Sequence, residues 1–125
     1  MAKRVLLAED EPNIVESLTF LLGRAGFDVA ARNNGREALE EALGNPPDVM
    51  LLDVMLPELD GMEILRRLRS DARTETLPII MLTAKGQRED RERALEARAD
   101  LFISKPFSNA HLMAAVADLA NRQHA

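Results

Sequence analysis

The chain has 125 residues, 46% hydrophobic and 30% charged, a length that buries roughly two thirds of its unfolded surface on folding and so supports one domain with a real core. Its net charge of −5 argues against nucleic acid as a direct partner, and the absence of cysteine excludes a disulfide framework or a thiolate metal site. No apolar run approaches the roughly 20 residues of a membrane span, so we expect a cytoplasmic protein without a membrane segment.

Short apolar runs alternate with amphipathic stretches along the chain. Five runs have strand length and cover residues 5–8, 27–31, 49–52, 78–82 and 101–103. Unbroken apolarity, rather than alternation, is typical of parallel strands covered on both faces. The run at 27–31 is the least apolar and indicates an edge strand.

Helix signals fill the intervals between these runs. Pro12 suits the first position of the first helix, and Gly23 and Gly26 predict its end. Asn34 and Asp60 each precede a glutamate by three residues, which predicts N-caps for the second and third helices.

The later part of the chain continues the alternation. Residues 87–97 are dense in both charge signs and predict a solvated helix with Leu95 as its main apolar anchor. The last helix is expected to begin at Ser108 or Asn109. Five strand–helix repeats predict an α/β domain over residues 1–125, a doubly wound (flavodoxin-like) parallel sheet of order 2-1-3-4-5 with helices on both faces.

Polar residues stand where four of the predicted strands end, and the carboxyl ends of parallel strands share one edge of the sheet. These residues are Glu9 and Asp10, Asp53, Thr83, and Ser104 with Lys105. Core packing does not require polar groups at these positions, so the pattern predicts a functional site.

Three carboxylates so close together do not all ionise unless a cation joins them. Hard oxygen ligands on a rigid edge suit Mg²⁺, with Mn²⁺ as an alternative. Mg²⁺ and Lys105 together balance the three negative charges of Glu9, Asp10 and Asp53, which would let an anionic phosphoryl donor approach. Asp53 is the best candidate for the nucleophile because it ends a central strand, and aspartate can form an acyl phosphate.

Each of these residues also has a simpler explanation when taken singly. Asp10 or Glu11 could cap the first helix, Thr83 could be an ordinary strand-end hydroxyl, and Lys105 could be a surface lysine. The functional interpretation depends on their joint placement at four strand ends.

The residues also match a family. Residues 6–12, 53–57 with Gly61, 82–84 and 102–107 occur in the order and spacing of the receiver domain of two-component response regulators. The chain resembles that domain, chemotaxis receivers included, over essentially its whole length.

The resemblance implies a role for each position of the site. Asp53 would be the phosphoacceptor and a Mg²⁺ ligand, and Asp10 would bind the metal directly. Glu9 would act on the metal through water, and the backbone carbonyl of Met55 would be a further ligand. Lys105 would pair with the phosphoryl group.

The resemblance also implies a switch and its partners. The Thr83 hydroxyl would bond a phosphoryl oxygen and Phe102 would be the switching aromatic residue. The donor would be a sensor histidine kinase or a histidine phosphotransfer protein. A downstream protein would read the surface of the fourth helix, fifth strand and fifth helix. Arg98 stands where the family usually has glycine, so we expect the loop after the fourth helix to differ.

Three other functions compete with a stand-alone switch that only assists its own phosphorylation. The chain could be the receiver piece of a larger regulator with a DNA-binding or enzymatic output domain. A Mg²⁺-dependent phosphatase forming an aspartyl phosphate usually has a second aspartate where this chain has Met55. A flavin-binding carrier would need a Ser/Thr/Gly-rich loop where this chain has Glu9, Asp10 and Glu11.

Overall fold

A computed structural model describes residues 2–84 and 88–122, in which strands and helices alternate strictly. The elements in chain order are β1 (Arg4–Ala8), α1 (Pro12–Arg24), β2 (Asp28–Arg32), α2 (Gly35–Gly44), β3 (Val49–Asp53), α3 (Gly61–Arg69), β4 (Ile79–Ala84), α4 (Arg88–Glu96), β5 (Leu101–Lys105) and α5 (Asn109–Arg122). Among the described residues, no helix is both long and apolar enough to cross a membrane.

The five strands form one parallel sheet in the order β2-β1-β3-β4-β5. The predicted fold class and strand order are therefore confirmed, with β2 at an edge. Ala8 pairs with Leu52, and Asp53 pairs with Leu82. This register brings Glu9, the residue after β1, level with Asp53.

The sheet separates two apolar layers, which explains why its strands are unbroken apolar runs. One layer packs α2, α3 and α4 against Leu6, Ala8, Met50, Leu52, Ile79 and Met81. The other packs α1 and α5 against Val5, Leu7, Val49, Leu51, Ile80, Leu82 and Ile103. Alternate residues of each strand therefore face opposite layers.

Side-chain caps fix where three of the helices begin. Asn34 and Asp60 each accept a hydrogen bond from the N–H group three residues on, at 2.9 and 3.0 Å, as predicted. Ser108 accepts one from the N–H of His111 at 3.2 Å, so Ser108 caps α5. These caps place the first turns of α2 and α3 beside the loop that follows β3.

The first helix ends at Arg24, between Gly23 and Gly26, where the two glycines predicted its end. Gly23 itself is helical, at a cost of only about 1 kcal/mol, and the preceding residue, Leu22, is fully buried. The chain leaves the helix at Gly26, whose φ of 97° requires glycine.

The prediction that Leu95 is the main apolar anchor of α4 is wrong. Leu95 is 54% exposed, and the buried residue of this helix is its neighbour Ala94. A stretch so rich in charge has no apolar periodicity from which its inner face could be predicted. Gln87, where the predicted helix began, lies outside the described residues.

The loop after α4 keeps the left-handed conformation that we expected Arg98 to prevent, with φ of 69° at that residue. Hydrogen bonds hold it in place. The Arg98 guanidinium donates to the carbonyl oxygen of Arg69 at 3.2 Å, and the buried Arg69 guanidinium donates to that of Arg98 at 3.0 Å. Arg69 also donates to Leu77 and Asp100, so it joins the segments that lead into β4 and β5.

Candidate functional site

The carboxyl ends of β1 and β3 bring three acids together. Glu9, Asp10 and Asp53 each present a carboxylate oxygen within 4.8 Å of the other two. Glu9 and Asp53 are buried, whereas Asp10 is exposed. The convergence expected from the sequence is therefore present, and the cluster opens to solvent on the Asp10 side.

Asp53 is held at both of its carboxylate oxygens. The backbone N–H of Met55 donates to Oδ1 at 3.0 Å, and the Lys105 ammonium donates to Oδ2 at 2.9 Å. Asp53 is 3% exposed, so the carboxylate is fixed in orientation at the floor of the site.

Lys105 ends β5 and reaches three acids. Its Nζ lies 2.9 Å from Glu9 Oε1, 2.9 Å from Asp53 Oδ2 and 3.3 Å from Glu11 Oε1. The other oxygen of Glu9 accepts hydrogen bonds from the N–H groups of Asp10 and Glu11. The Lys105–Pro106 peptide bond that follows is cis.

The pKa values of Glu9 and Lys105 are both raised above their ordinary values. The rise favours the neutral form of Glu9 and the charged form of Lys105. Burial raises the pKa of Glu9 from 4.5 to about 7, although Lys105 and the N–H of Glu11 act against the rise. Burial would lower the pKa of Lys105, but its contacts with Glu9 and Asp53 outweigh burial and raise it above its ordinary value. Lys105 is therefore a permanent cation, and Glu9 holds a proton more readily than a free glutamate.

The Glu9 pKa predicts that the metal-free protein loses stability as pH rises. The folded pKa of about 7 lies above 4.5, so the contribution is fully present below pH 4.5 and is lost as pH rises through 7. The loss is about 3 kcal/mol in the free energy of unfolding. Thermal unfolding in EDTA between pH 4 and pH 8 measures it.

Glu9→Gln is the matched control for this prediction, because it keeps the side-chain shape and cannot ionise. It should lack that part of the pH dependence, and saturating Mg²⁺ should remove it from the wild type by favouring the ionised acids. An equal decline in wild type and Glu9→Gln would contradict the assignment of the titration to Glu9.

Thr83 and Phe102 share the side of the sheet that faces α2, α3 and α4. Phe102 packs against that apolar layer, and Thr83 lies on the next strand one residue beyond the level of Asp53. The Thr83 hydroxyl is fully buried and has no hydrogen-bond partner among the described residues. A buried polar group without a partner calls for an explanation, and a role at the site is one.

The sequence did not predict every residue of the site. Glu11 contacts Lys105, although the sequence indicated it only as a possible helix cap beside two other acids. Gly61 lets α3 approach the backbone of Asp53, because a Cβ there would overlap the Asp53 carbonyl oxygen. Met55 was selected for its carbonyl, and its side chain is 71% exposed beside the site. Ser104 pairs with Thr83 and is exposed.

The donor set suits a hard divalent cation. Three carboxylates of which one faces solvent would give Mg²⁺ one or two direct carboxylate ligands and leave most of its other positions to water. Lys105 alone cannot neutralise Glu9, Asp10 and Asp53. Burial raises the Glu9 pKa, and a metal at this site would supply the positive charge that the two buried acids lack and would lower that pKa again.

Comparison with known proteins connects this geometry to a family. The sequence profile of the response regulator receiver domain matches residues 5–117. The alkaline phosphatase synthesis transcriptional regulatory protein PhoP of Bacillus subtilis (strain 168) is 42% identical over 122 residues, which are 98% of this chain and 50% of that protein. The chain thus spans about half the length of the curated relatives it matches.

Solved structures agree in fold and in sequence. A putative response regulator from Chloroflexus aurantiacus J-10-fl is 34% identical with a TM-score of 0.91, covering 97% of this chain and 99% of that one. The receiver domain of the sensor histidine kinase PA1611 from Pseudomonas aeruginosa PAO1 is 30% identical with a TM-score of 0.88, covering 97% and 99% of the two chains. That structure has a magnesium ion coordinated in its active site cleft.

Proposed function

The chain belongs to the response regulator receiver domain family of two-component signalling, and we propose that Asp53 is its phosphoacceptor. The observation that carries the assignment is the pair of contacts on the Asp53 carboxylate, from the Met55 N–H and the Lys105 ammonium. Receiver domains exchange phosphoryl groups with histidine kinases or phosphotransfer proteins and bind Mg²⁺ at their acidic site. Asp53 is the buried acid of the cluster that ends a central strand.

Each neighbour then has a part in the transfer. An Asp53 carboxylate oxygen bonds to the phosphorus of a phosphohistidine, and the P–N bond breaks with its electron pair leaving on the imidazole. Asp10, Asp53 and the Met55 carbonyl would hold Mg²⁺, with Glu9 acting through water. Mg²⁺ held there would neutralise charge on the phosphoryl oxygens, and Lys105 supplies the remaining cation.

The switch follows from the added charge. An acyl phosphate carries more negative charge than the carboxylate it replaces. The buried Thr83 hydroxyl on the neighbouring strand β4 has no partner among the described residues and can donate to it. Thr83 moves toward the phosphoryl group, and Phe102 turns into the space that it leaves. The surface of α4, β5 and α5 then changes its affinity for a downstream protein.

The phosphoryl transfer is tested by intact mass after incubation with acetyl phosphate. One phosphoryl adduct is expected with Mg²⁺ and none with EDTA. An unchanged mass with Mg²⁺ and a range of phosphoryl donors would overturn the proposal.

The switch is tested by amide NMR spectra with a phosphate analogue and Mg²⁺. Amide signals of α4, β5 and α5 that do not shift would exclude the proposed switch.

The proposal also covers the role, location and partners of the chain. The chain acts as a signalling domain rather than as an enzyme on other substrates, its location is cytoplasmic, and it contacts a kinase or phosphotransfer protein without binding nucleic acid directly. A second candidate is that the domain over residues 1–125 regulates an output domain. The similarity to transcriptional regulators about twice as long favours that candidate.

A further inference from the structure

The first turn of α2 packs directly on the loop that follows Asp53. Gly35 begins α2, and its N–H donates to the carbonyl oxygen of Pro57 at 2.9 Å. A Cβ on Gly35 would overlap the carbonyl oxygen of Leu59 and lie 2.6 Å from its carbonyl carbon. The contact is backbone against backbone, and a side chain at Gly35 would force the two elements apart.

The loop segment that Gly35 contacts is a strained turn. The N–H of Leu59 donates to the same Pro57 carbonyl oxygen at 2.8 Å, which closes a three-residue turn with Glu58 at φ of 69°. A positive φ at a residue other than glycine costs roughly 1–3 kcal/mol and persists where the surroundings enforce it. Gly35 helps to hold Glu58 in this conformation, because its N–H donates to the Pro57 carbonyl oxygen and its backbone packs against Leu59.

The other end of the loop is also fixed. The N–H of Gly61 donates to the carbonyl of Val54 at 2.9 Å, and a Cβ on Gly61 would lie 2.9 Å from the Asp53 carbonyl carbon. The segment between these two glycine contacts contains Met55. Its N–H holds Asp53 Oδ1, and its carbonyl is the ligand assigned above to Mg²⁺.

We propose that Gly35 is a positioning residue for Mg²⁺ binding. By allowing α2 to approach Leu59, it fixes the path of the loop and so the place of the Met55 carbonyl. Gly35 does not touch the metal and acts only through this loop. The inference rests on the proposed function of Asp53 and Met55, and it adds a coupling between the start of α2 and the metal site.

The test is the Mg²⁺ dissociation constant of Gly35→Ala, measured by calorimetry at a temperature where the variant is fully folded. We expect the constant to rise about tenfold, the lower end of what disturbing a supporting contact costs a metal site. An unchanged constant in a folded Gly35→Ala protein would overturn the inference.

Two controls separate positioning from loss of stability. Gly23→Ala makes the same chemical change in α1, where a Cβ meets no atom within 4 Å, and should bind Mg²⁺ as the wild type does. Ala42→Gly weakens α2 by about 1 kcal/mol from a buried position near its other end. If Ala42→Gly raised the dissociation constant as much as Gly35→Ala, the effect would be one of stability and the inference would be wrong.

A measurement on the wild type covers the case in which Gly35→Ala does not fold. In an NMR titration with Mg²⁺, the Gly35 amide should shift with the same midpoint as the Met55 amide, whereas the Gly44 amide should not. A Gly35 amide that stays in place while Met55 shifts would overturn the inference alone. A wild type that binds no Mg²⁺ would instead refute the proposed function on which it rests.

Discussion

Asp53→Asn is expected to gain no phosphoryl group from acetyl phosphate and Mg²⁺ under conditions in which the wild type gains one. The amide has nearly the same shape but lacks the charged oxygen that would attack phosphorus. Its carbonyl oxygen can still accept the Met55 N–H or the Lys105 ammonium, so the fold should persist. Intact mass, followed by peptide mapping of the labelled wild type, measures the result.

Asp60→Asn is the matched control, because it makes the same substitution a few residues further along the chain. Asp60 caps α3 through the N–H of Glu63, and asparagine caps helices about as well as aspartate. This variant should be labelled at the wild-type rate. Equal labelling of Asp53→Asn would place the phosphoryl group elsewhere and refute the assignment.

The sheet and the site's position could be predicted because both depend on a repeating physical pattern. Each strand is buried between two layers of helices and is therefore apolar throughout, as Val49 to Leu52 illustrate. Parallel strands share one carboxyl edge, so the acids that follow β1 and the acid that ends β3 had to converge. In the structure, the register places Glu9 level with Asp53. The alternation of strands and helices was enough to predict this proximity.

Other features could not be predicted because distant parts of the chain determine them. In the sequence, Arg69 is one of three arginines in a basic run, and burial against the α4–β5 loop makes it different. The carbonyl that it bonds belongs to Arg98, whose left-handed conformation costs on the order of 1 kcal/mol. Gly35 likewise looked like an ordinary start of a helix. Its importance depends on the loop 24 residues further along the chain that packs against it.

Lys105→Met is expected to slow phosphorylation by acetyl phosphate at least 100-fold. The ammonium lies 2.9 Å from Asp53 Oδ2, where it can balance the charge that develops on the phosphoryl oxygens, and removing one such donor typically costs about 10²–10³ in rate. Methionine keeps most of the side-chain volume. The rate is measured by following the adduct mass over time at saturating Mg²⁺.

Lys3→Met is the control for the loss of a lysine, because Lys3 bonds the Ala120 carbonyl away from the site. Its labelling rate should match that of the wild type. Labelling of Lys105→Met at the wild-type rate would show that the ammonium is only a counter-ion for buried acids and takes no part in the transfer.

Lys105→Met should also unfold more easily, and pH separates this effect from the effect on rate. Without the cation, Glu9 and Asp53 face each other in a buried site, which costs on the order of 3 kcal/mol when both are charged. The cost should be largest in EDTA at high pH and should shrink as pH falls, because Glu9, whose pKa burial raises although Lys105 acts against the rise, takes up a proton even more readily once Lys105 is gone. Mg²⁺ should restore stability at pH 8 without restoring the rate.

Lys105→Arg distinguishes charge from geometry within the same site. Arginine keeps the positive charge that Glu9 and Asp53 require, so the stability of this variant in EDTA should lie close to that of the wild type. Its planar guanidinium is too wide to reproduce a compact ammonium that reaches three carboxylates at once. Slow phosphorylation of a variant that keeps its stability would show that the phosphorylation rate depends on the geometry of the Lys105 ammonium as a donor. A wild-type rate would mean that positive charge alone suffices.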